Sequence, residues 1–200
     1  MKIILATQNK RKLDEFIELS KNSNYPINFV IKPLKEDIGE IEENGNSYFE
    51  NALIKANAVF NYYKEPVLSD DSGLELPEFK EILGIYSSRF AGINATDKEN
   101  RYKLLDYLKS KNITETSAKY VCVLVYIFNQ GEALSFKGEW EGKIIVSDNL
   151  NLDTGFGYDP MFVPKEYTIT VSEMSISEKN LISHRAKAVN QFLNFLKDKK

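Results

Sequence analysis

Two adjacent carboxylates, Asp70 and Asp71, are the residues whose types and spacing point most directly to chemistry. They follow the apolar pair Val67-Leu68, and the segment 69–73 (SDDSG) predicts a tight turn. Neighbouring carboxylates repel each other unless a divalent metal, another cation or a shared proton compensates. Such oxygen-rich sites suit Mg²⁺, and one carboxylate can also orient or deprotonate a water molecule. From this pair alone, an exposed turn without a ligand is an equally good interpretation.

A second candidate site follows the first predicted strand, in the segment Thr7-Gln8-Asn9-Lys10-Arg11-Lys12. A loop between a strand and a helix N-terminus offers backbone N–H groups and the positive end of the helix dipole to a phosphate. Thr7 and Asn9 add short polar side chains, and Lys12 adds a mobile ammonium group. A simple helix cap with solvated lysines explains the segment about as well, because the glycines of a P-loop are absent.

The segment Gly155-Phe156-Gly157-Tyr158-Asp159-Pro160 holds an aromatic ring between two glycines. Glycines weaken strand pairing, so this arrangement presents a ring better than it builds a core strand. A flat ring with a nearby carboxylate can stack on a nucleobase and bind its edge. The alternative is a glycine-rich turn in which Phe156 is only a hydrophobic plug.

The remaining candidates carry weaker signals. A lone histidine such as His184 is more often structural than catalytic. Arginine occurs only four times, and its fork recognises phosphates or carbonyl edges, which draws attention to Arg89 and Arg185. We expect Cys122 to be an inert core thiol and Trp140 to serve packing or an interface.

Composition limits the class of protein. The 200 residues with 42% hydrophobic content fit one domain, and a net charge of −3 argues against a dedicated nucleic-acid or anionic-membrane surface. A single cysteine and a single histidine exclude an internal disulfide and a structural zinc cluster. No segment resembles a secretory signal and no apolar run is long enough to span a membrane, so we expect a cytoplasmic protein.

The elements that must position these residues follow from apolar periodicity and capping signals. The predicted strands and helices alternate in part and include antiparallel hairpins, which favours a mixed sheet over a doubly wound parallel one. The apolar segment 120–128 predicts the central strand, and glycines at 138 and 142 predict bulges or bends in the strand after it. The predicted strands are 3–6, 28–32, 67–68, 120–128 and 133–146, and the predicted helices begin at Asn9, Ser47, Thr96 and Ser183.

Taken together, these segments resemble the Ham1-type inosine triphosphate pyrophosphatases. Each motif alone is weak, but their joint order over nearly the whole chain is highly specific. The matching segments are LATQNKRK, EENG before FENALIKA, LSDDSGLE, IYSSRFAG, TGFGYDPMFVP and EKNLISHRAKAV.

The resemblance implies an α/β fold with a long curved mixed sheet, flanked by helices in two lobes around a deep cleft. It also implies a single pyrophosphatase domain over residues 1–200 and a homodimer. The implied reaction converts ITP, dITP or XTP and water into the nucleoside monophosphate and pyrophosphate, with Mg²⁺ as the cofactor. The implied partner is a free nucleoside triphosphate, neither a nucleic acid nor a membrane.

The resemblance also assigns roles to individual residues. Asp71 would be the proton acceptor and, with Glu43, a metal ligand, while Asp70 would support the metal through water. Lys12 and Lys55 would hold the triphosphate, and Phe156 would stack on the purine. The full implied substrate-binding set is Thr7, Gln8, Asn9, Lys10, Arg11, Lys12, Lys55, Ser72, Phe156, Gly157, Tyr158, Asp159, Lys179, Ser183, His184 and Arg185.

One stretch departs from the family pattern. A glycine-rich turn with a proline usually precedes Gly84, but here the segment 76–83 is LPEFKEIL, so a proline and a glycine are missing from their usual places.

Two other functions stay open at this point. One is a Maf-type pyrophosphatase acting on other modified or pyrimidine triphosphates. The other is a nucleotide-binding module without catalysis, against which the combination of Lys12, Glu43, Asp70 and Asp71 argues.

Overall fold

The computed structural model describes residues 1–21 and 27–199, which contain a mixed six-stranded sheet and six α-helices. The strands lie in the order β2-β1-β3-β4-β5-β6, with β1 parallel to β2 and β3, and β5 antiparallel to β6. The predicted α/β class with a mixed sheet is therefore confirmed. The strands are β1 (Lys2–Leu5), β2 (Asn28–Val30), β3 (Val67–Glu75), β4 (Glu115–Asn129), β5 (Glu132–Ile145) and β6 (Phe162–Pro164).

The helices begin where their capping residues predict. Asn9 accepts hydrogen bonds from the backbone N–H groups of Arg11 and Lys12, and Ser47 accepts one from Glu50. Thr96, where a helix is predicted to begin, forms a capping box with Glu99. The helices are α1 (Lys10–Lys21), α2 (Leu34–Ile38), α3 (Tyr48–Tyr63), α4 (Asp97–Ser110), α5 (Ile176–Ile182) and α6 (His184–Asp198), with 3-10 turns at Gly84–Arg89 and Val171–Glu173. Within the described ranges, no helix is both long and apolar enough to cross a membrane.

The prediction that β3 stops at Leu68 and that 69–73 is a turn is wrong. The strand continues through both aspartates to Glu75. Asp, Ser and Gly have low strand propensity, but propensity yields to tertiary context when the side chains find buried partners. Ser69 has such a partner, because its hydroxyl donates to the Ala52 carbonyl at 2.6 Å.

The contacts divide the chain into two compact units. Unit 1 comprises Met1–Asp71, Cys122–Gly138 and His184–Lys200. Its strands bury both faces. In β1, Ile3 and Leu5 join one apolar cluster with Phe192 of α6, while Ile4 joins another with Ala56 of α3. This alternation follows from the period of two along a strand.

Gly138 marks the closest approach between β5 and α6 within unit 1. A Cβ atom at this position would overlap the carbonyl oxygen of His184 and lie 2.7 Å from the backbone nitrogen of Ala188. Bulges or bends at the β5 glycines stay a prediction. The strand runs from Glu132 to Ile145, and Gly138 allows two backbones to touch.

Unit 2 comprises Ser72–Val121 and Glu139–Ser183 and has a core of its own. Leu104, Trp140 and Phe162 are buried there, which confirms the packing role predicted for Trp140. The atypical stretch before Gly84 folds onto this core. Leu83 is 3% exposed, but its φ of 64° lies in a region that side chains with a Cβ avoid.

Candidate active site

The two aspartates of β3 face different parts of unit 1, because successive side chains of a strand point to opposite faces. Asp70 shares its face with Leu68, which packs in the cluster containing Phe192. Asp71 shares its face with Ser69, which bonds to α3. The two carboxylates thus project from opposite faces of an extended strand, but both lie within reach of the charges of Lys12 and Lys55.

Asp70 is the centre of a buried ion cluster. Its Oδ2 atom lies 2.7 Å from Lys12 Nζ of α1 and 3.6 Å from Arg185 Nη2 of α6. Burial alone would raise the pKa of this carboxyl, but the positive charges of Lys12, Arg185 and Lys55 outweigh burial and hold the pKa well below its usual range. Asp70 is thus a fixed negative charge and a poor proton acceptor.

Arg185 is almost fully buried, with 2% of its side chain exposed. Its guanidinium pairs with Glu15 of α1 as well as with Asp70. Burial would lower the pKa of the guanidinium, but Glu15 and Asp70 more than reverse this and raise the pKa. The structure therefore places Arg185 in the charge cluster of unit 1, and its predicted contact with the base stays a prediction.

Asp71 lies beside α3, where its Oδ2 atom accepts a hydrogen bond of 3.1 Å from the buried amide of Asn51. Lys55, one turn further along α3, places its ammonium 4.0 Å from Asp71 Oδ1 and 3.1 Å from Glu43 Oε1. Burial raises the pKa of Asp71, although Lys55 and Lys12 oppose the shift. A carboxylate with a raised pKa is better suited to accept a proton than its neighbour Asp70.

The surroundings of Lys55 test whether these acids fit a divalent cation. Glu43 and Asp71 converge on one ammonium group, so a positive charge can engage both carboxylates. Asp70 Oδ1 is buried and has no hydrogen-bond partner among residues 1–21 and 27–199. Over the same residues, no group of three or more His, Cys, Asp or Glu side chains is arranged to hold a metal alone. This donor set fits Mg²⁺, which commonly uses one or two carboxylates together with substrate phosphates.

The segment 7–12 has features of both interpretations offered from the sequence, a helix cap and a phosphate-binding loop. Asn9 caps α1, and its own backbone N–H donates to Thr7 Oγ1 at 3.1 Å. Gln8, Lys10 and Arg11 are exposed, as expected of a solvated cap. Lys12 differs, because it pairs with Asp70 and does not extend into solvent. The structure thus brings Lys12, Lys55, Glu43, Asp70 and Asp71 into one charged cluster of unit 1.

The residues predicted to bind the base lie in unit 2, except for His184 and Arg185. Gly155 and Gly157 have φ angles of 99° and 51°, so the loop around Phe156 needs glycine at both positions. Lys179 lies over the Phe156 ring, 5.4 Å from its centroid, and its ammonium is 2.8 Å from Asp159 Oδ2. Phe156, Asp159 and Lys179 therefore form one group.

The other predicted site residues have simpler placements. Ser72 is half-buried in β3 of unit 2, and Tyr158 is buried with its hydroxyl donating to the Ser87 carbonyl at 2.8 Å. Ser183 ends α5, and His184 begins α6 in unit 1, both of them buried. Arg89 lies against the Tyr86 ring at 5.1 Å.

Sequence reasoning missed three partners in these groups. Asn51 belongs to no predicted site, but its amide is buried in α3 and donates to Asp71, and buried amides nearly always have such a partner. Glu15 gave no local signal, because it is 170 residues from Arg185. Tyr120 was assigned to the core strand, but its hydroxyl accepts from the Tyr158 N–H at 3.0 Å and donates to Asp159 at 3.3 Å.

Comparison with known proteins agrees with the resemblance stated from the motifs. The model of the Ham1 family matches residues 3–195. A dITP/XTP pyrophosphatase from Sulfurovum sp. (strain NBC37-1) is 41% identical over 197 residues, which cover 95% of this chain and 90% of the relative. Another, from Campylobacter jejuni subsp. jejuni serotype O:2, is 43% identical over 196 residues, covering 94% of each. The solved structure of a HAM1 protein from Coxiella burnetii matches with a TM-score of 0.85 at 36% identity and covers 99% of both chains. The chain belongs to the Ham1 family.

Proposed function

We propose that this protein hydrolyses the purine triphosphates dITP, XTP and ITP to the nucleoside monophosphate and pyrophosphate, which removes damaged bases from the nucleotide pool. One observation carries the proposal: relatives named dITP/XTP pyrophosphatases share about two fifths of their residues with this chain over nearly their whole length. The charge cluster around Asp70 and Asp71 supports it. A Maf-type activity on pyrimidine triphosphates is not favoured, because none of the relatives reported above carries such a name.

Phosphoanhydride cleavage builds negative charge on the leaving pyrophosphate. The triphosphate therefore requires cations in a fixed arrangement. Lys12 and Lys55 supply this charge. Asp70 and Glu43 hold the two ammonium groups at 2.7 and 3.1 Å, so neither lysine has to lose many rotamers when the substrate binds. Thr7 and Asn9 at the start of α1 add polar atoms near the positive end of the helix dipole.

Asp71 is the proposed general base. Its oxygen orients a water molecule and accepts its proton while the water oxygen forms a bond to the α-phosphorus. The bond from the α-phosphorus to the bridging oxygen breaks, and pyrophosphate leaves with the electron pair. Asn51 holds Asp71 through a buried hydrogen bond of 3.1 Å, which fixes the direction in which the other carboxylate oxygen acts.

Mg²⁺ is the proposed cofactor, with Glu43 and Asp71 as ligands and Asp70 as support through water. When bound, it would neutralise charge on the phosphate oxygens. The acids that converge on Lys55 fit this ion, as does the unpaired buried oxygen of Asp70 within the described ranges.

The proposed recognition of the base depends on residues of unit 2. Phe156 stacks on the purine, and Lys179 donates to the 6-keto oxygen of hypoxanthine or xanthine. The 6-amino group of adenine is itself a hydrogen-bond donor. It would face the Lys179 ammonium without an acceptor between them, so both donors would lack a partner. Asp159 orients Lys179 through their ion pair of 2.8 Å.

We also infer from the family that the protein is a cytoplasmic homodimer that acts on free nucleotides and not on nucleic acid. Light scattering after size exclusion tests the dimer. A monomer over the micromolar range would contradict it.

The decisive experiment measures pyrophosphate release from ITP, dITP, XTP, GTP, ATP, dUTP and TTP in parallel, with Mg²⁺ and with a chelator. We expect metal-dependent release from the first three and at least about tenfold slower release from ATP. Preferred cleavage of dUTP or TTP would support the Maf-type alternative. Tight ITP binding without release would indicate a binding module.

A further inference from the structure

The loop that presents Phe156 is held by two side chains of α4 that have no part in the proposed chemistry. Asp97 Oδ2 accepts a hydrogen bond of 2.9 Å from the Gly157 N–H. Arg101 Nη1 donates to the Gly157 carbonyl at 2.6 Å, and Arg101 Nε donates to the Leu152 carbonyl at 2.9 Å. Both backbone groups of Gly157 are therefore bound to one helix.

The positions of Asp97 and Arg101 suit this task. They are four residues apart, so they share one face of α4. The helix start is fixed by the capping box of Thr96 and Glu99. Arg101 is 1% exposed, and a guanidinium is costly to bury unless its donors are satisfied. The two carbonyls satisfy Nε and Nη1 and, in return, tie Leu152 to Gly157.

Within the loop the Asp159 N–H donates to the Phe156 carbonyl at 3.0 Å, and the two bonds from α4 restrain the glycine between these residues. Gly155 and Gly157 both have positive φ, and glycine has more accessible backbone states than any other residue. Phe156 lies between them, so any rotation at Gly157 moves the ring. A displaced ring loses stacking energy, since productive geometry has to be held within a fraction of an ångström.

We propose that Asp97 and Arg101 are positioning residues that hold Phe156 in place for stacking on the purine base. This inference rests on the proposed function of Phe156. It predicts that the pair acts on substrate affinity through the ring and leaves the chemical step unchanged. Asp97 and Arg101 thus act on substrate affinity from outside the set of residues proposed to touch the substrate.

The test uses the hydrolysis of ITP and variants at Asp97, which is half-buried at the first residue of α4. Asp97→Ala removes the acceptor for Gly157, and Asp97→Asn keeps an oxygen acceptor while removing the charge. We expect Asp97→Ala to raise KM about fivefold or more with kcat within about twofold, and Asp97→Asn to restore most of the affinity.

Asp106→Ala, at an exposed position of the same helix, is the matched control and should leave both constants unchanged. Arg101→Lys should raise KM in the same way, because one ammonium cannot reproduce the fork.

A double-mutant cycle separates positioning from a general structural role. Phe156→Ala should raise KM about tenfold or more, and Asp97→Ala should add little to that variant because its effect passes through the ring. Loss of folded protein would instead lower kcat and leave KM unchanged. If Phe156→Ala raises KM but Asp97→Ala does not, the positioning role fails while the stacking role stands. The same holds if the increase in KM of the double variant equals the product of the two single increases. If Phe156→Ala leaves KM unchanged, the stacking role in the proposed function fails and the inference fails with it.

Discussion

The carboxylates of Asp70 and Asp71 belong to consecutive residues of β3, but their pKa values shift in opposite directions. Burial favours protonation of both. Asp70 has Lys12 at 2.7 Å and Arg185 at 3.6 Å, and these cations reverse the effect of burial. Asp71 has a neutral amide at 3.1 Å and Lys55 only at 4.0 Å, so burial prevails there. One strand thus provides a permanent anion and a proton acceptor side by side.

Asp71→Asn should reduce pyrophosphate release from ITP by at least about a hundredfold, because removal of a general base costs 10²–10⁴ in rate. Asparagine has nearly the same shape and can still accept the hydrogen bond from Asn51. The melting temperature should therefore change little. Glu42→Gln, an exposed neighbour of Glu43, is the control and should keep full activity. Retention of more than half the activity in Asp71→Asn would refute the assignment of the base.

Asp70→Asn should lower the free energy of unfolding by about 3 kcal/mol at pH 7, because Lys12 loses its carboxylate at a buried site and Arg185 keeps only Glu15. The folded pKa of Asp70 is depressed, so its contribution is present above the unfolded pKa and is lost as the pH falls through the folded value. Urea unfolding from pH 7 down to pH 3 in EDTA should therefore show a shallower acid dependence for the variant.

The matched control for Asp70→Asn is an exposed ion pair of the same length. Lys98 and Asp153 are also 2.7 Å apart, but more than half of each side chain is exposed. Asp153→Asn should have a much smaller effect, because solvent screens such pairs. Equal losses in the two variants would mean that burial does not decide the strength of the Asp70 cluster.

At Leu83 we expect the glycine variant to be more stable than the alanine variant. Its side chain is buried in the core of unit 2, but its φ of 64° disfavours any residue with a Cβ. Both Leu83→Ala and Leu83→Gly lose the buried side chain, at a cost of about 2–5 kcal/mol. Only glycine relieves the backbone strain, worth about 1–2 kcal/mol. We expect Leu83→Gly to melt at a higher temperature than Leu83→Ala, and the reverse order would contradict the strain.

Cys122 should resist thiol reagents in the folded protein. Burial raises the pKa of its thiol to about 12, so the reactive thiolate is scarce at pH 7–9. Titration with an aromatic disulfide reagent should label Cys122 only after denaturant is added. Rapid labelling of the native protein at pH 8 would show that the core around β4 opens readily.

Local signals predicted the helices and the central strand well. Ser47, Thr96 and Asn9 cap helices where their types indicate, and the apolar run in β4 lies between β3 and β5. The strand character of 69–73 could not be predicted, because its residues favour turns and only their buried partners on α1, α3 and α6 stabilise an extended backbone.

The candidate site was predictable in its residue types but not in its pairings. Motifs indicated Lys12, Lys55, Glu43 and the two aspartates, and the structure brings these five together in unit 1. The pairing of Arg185 with Glu15 joins residues 170 positions apart, and no local pattern encodes such a contact. The roles of Asp97 and Arg101 likewise depend on backbone atoms of a distant loop, which leave no trace in side-chain types.

The geometry of the charge cluster around Asp70 depends on Gly138, a residue without a functional group. The backbone of β5 touches the first turn of α6, and Arg185 is the second residue of that helix. Any larger residue at 138 must push the start of α6 outward, which carries the guanidinium away from Asp70 and Glu15. The strand thus acts on the cluster through backbone contact alone, because an absent side chain sets where the helix can begin.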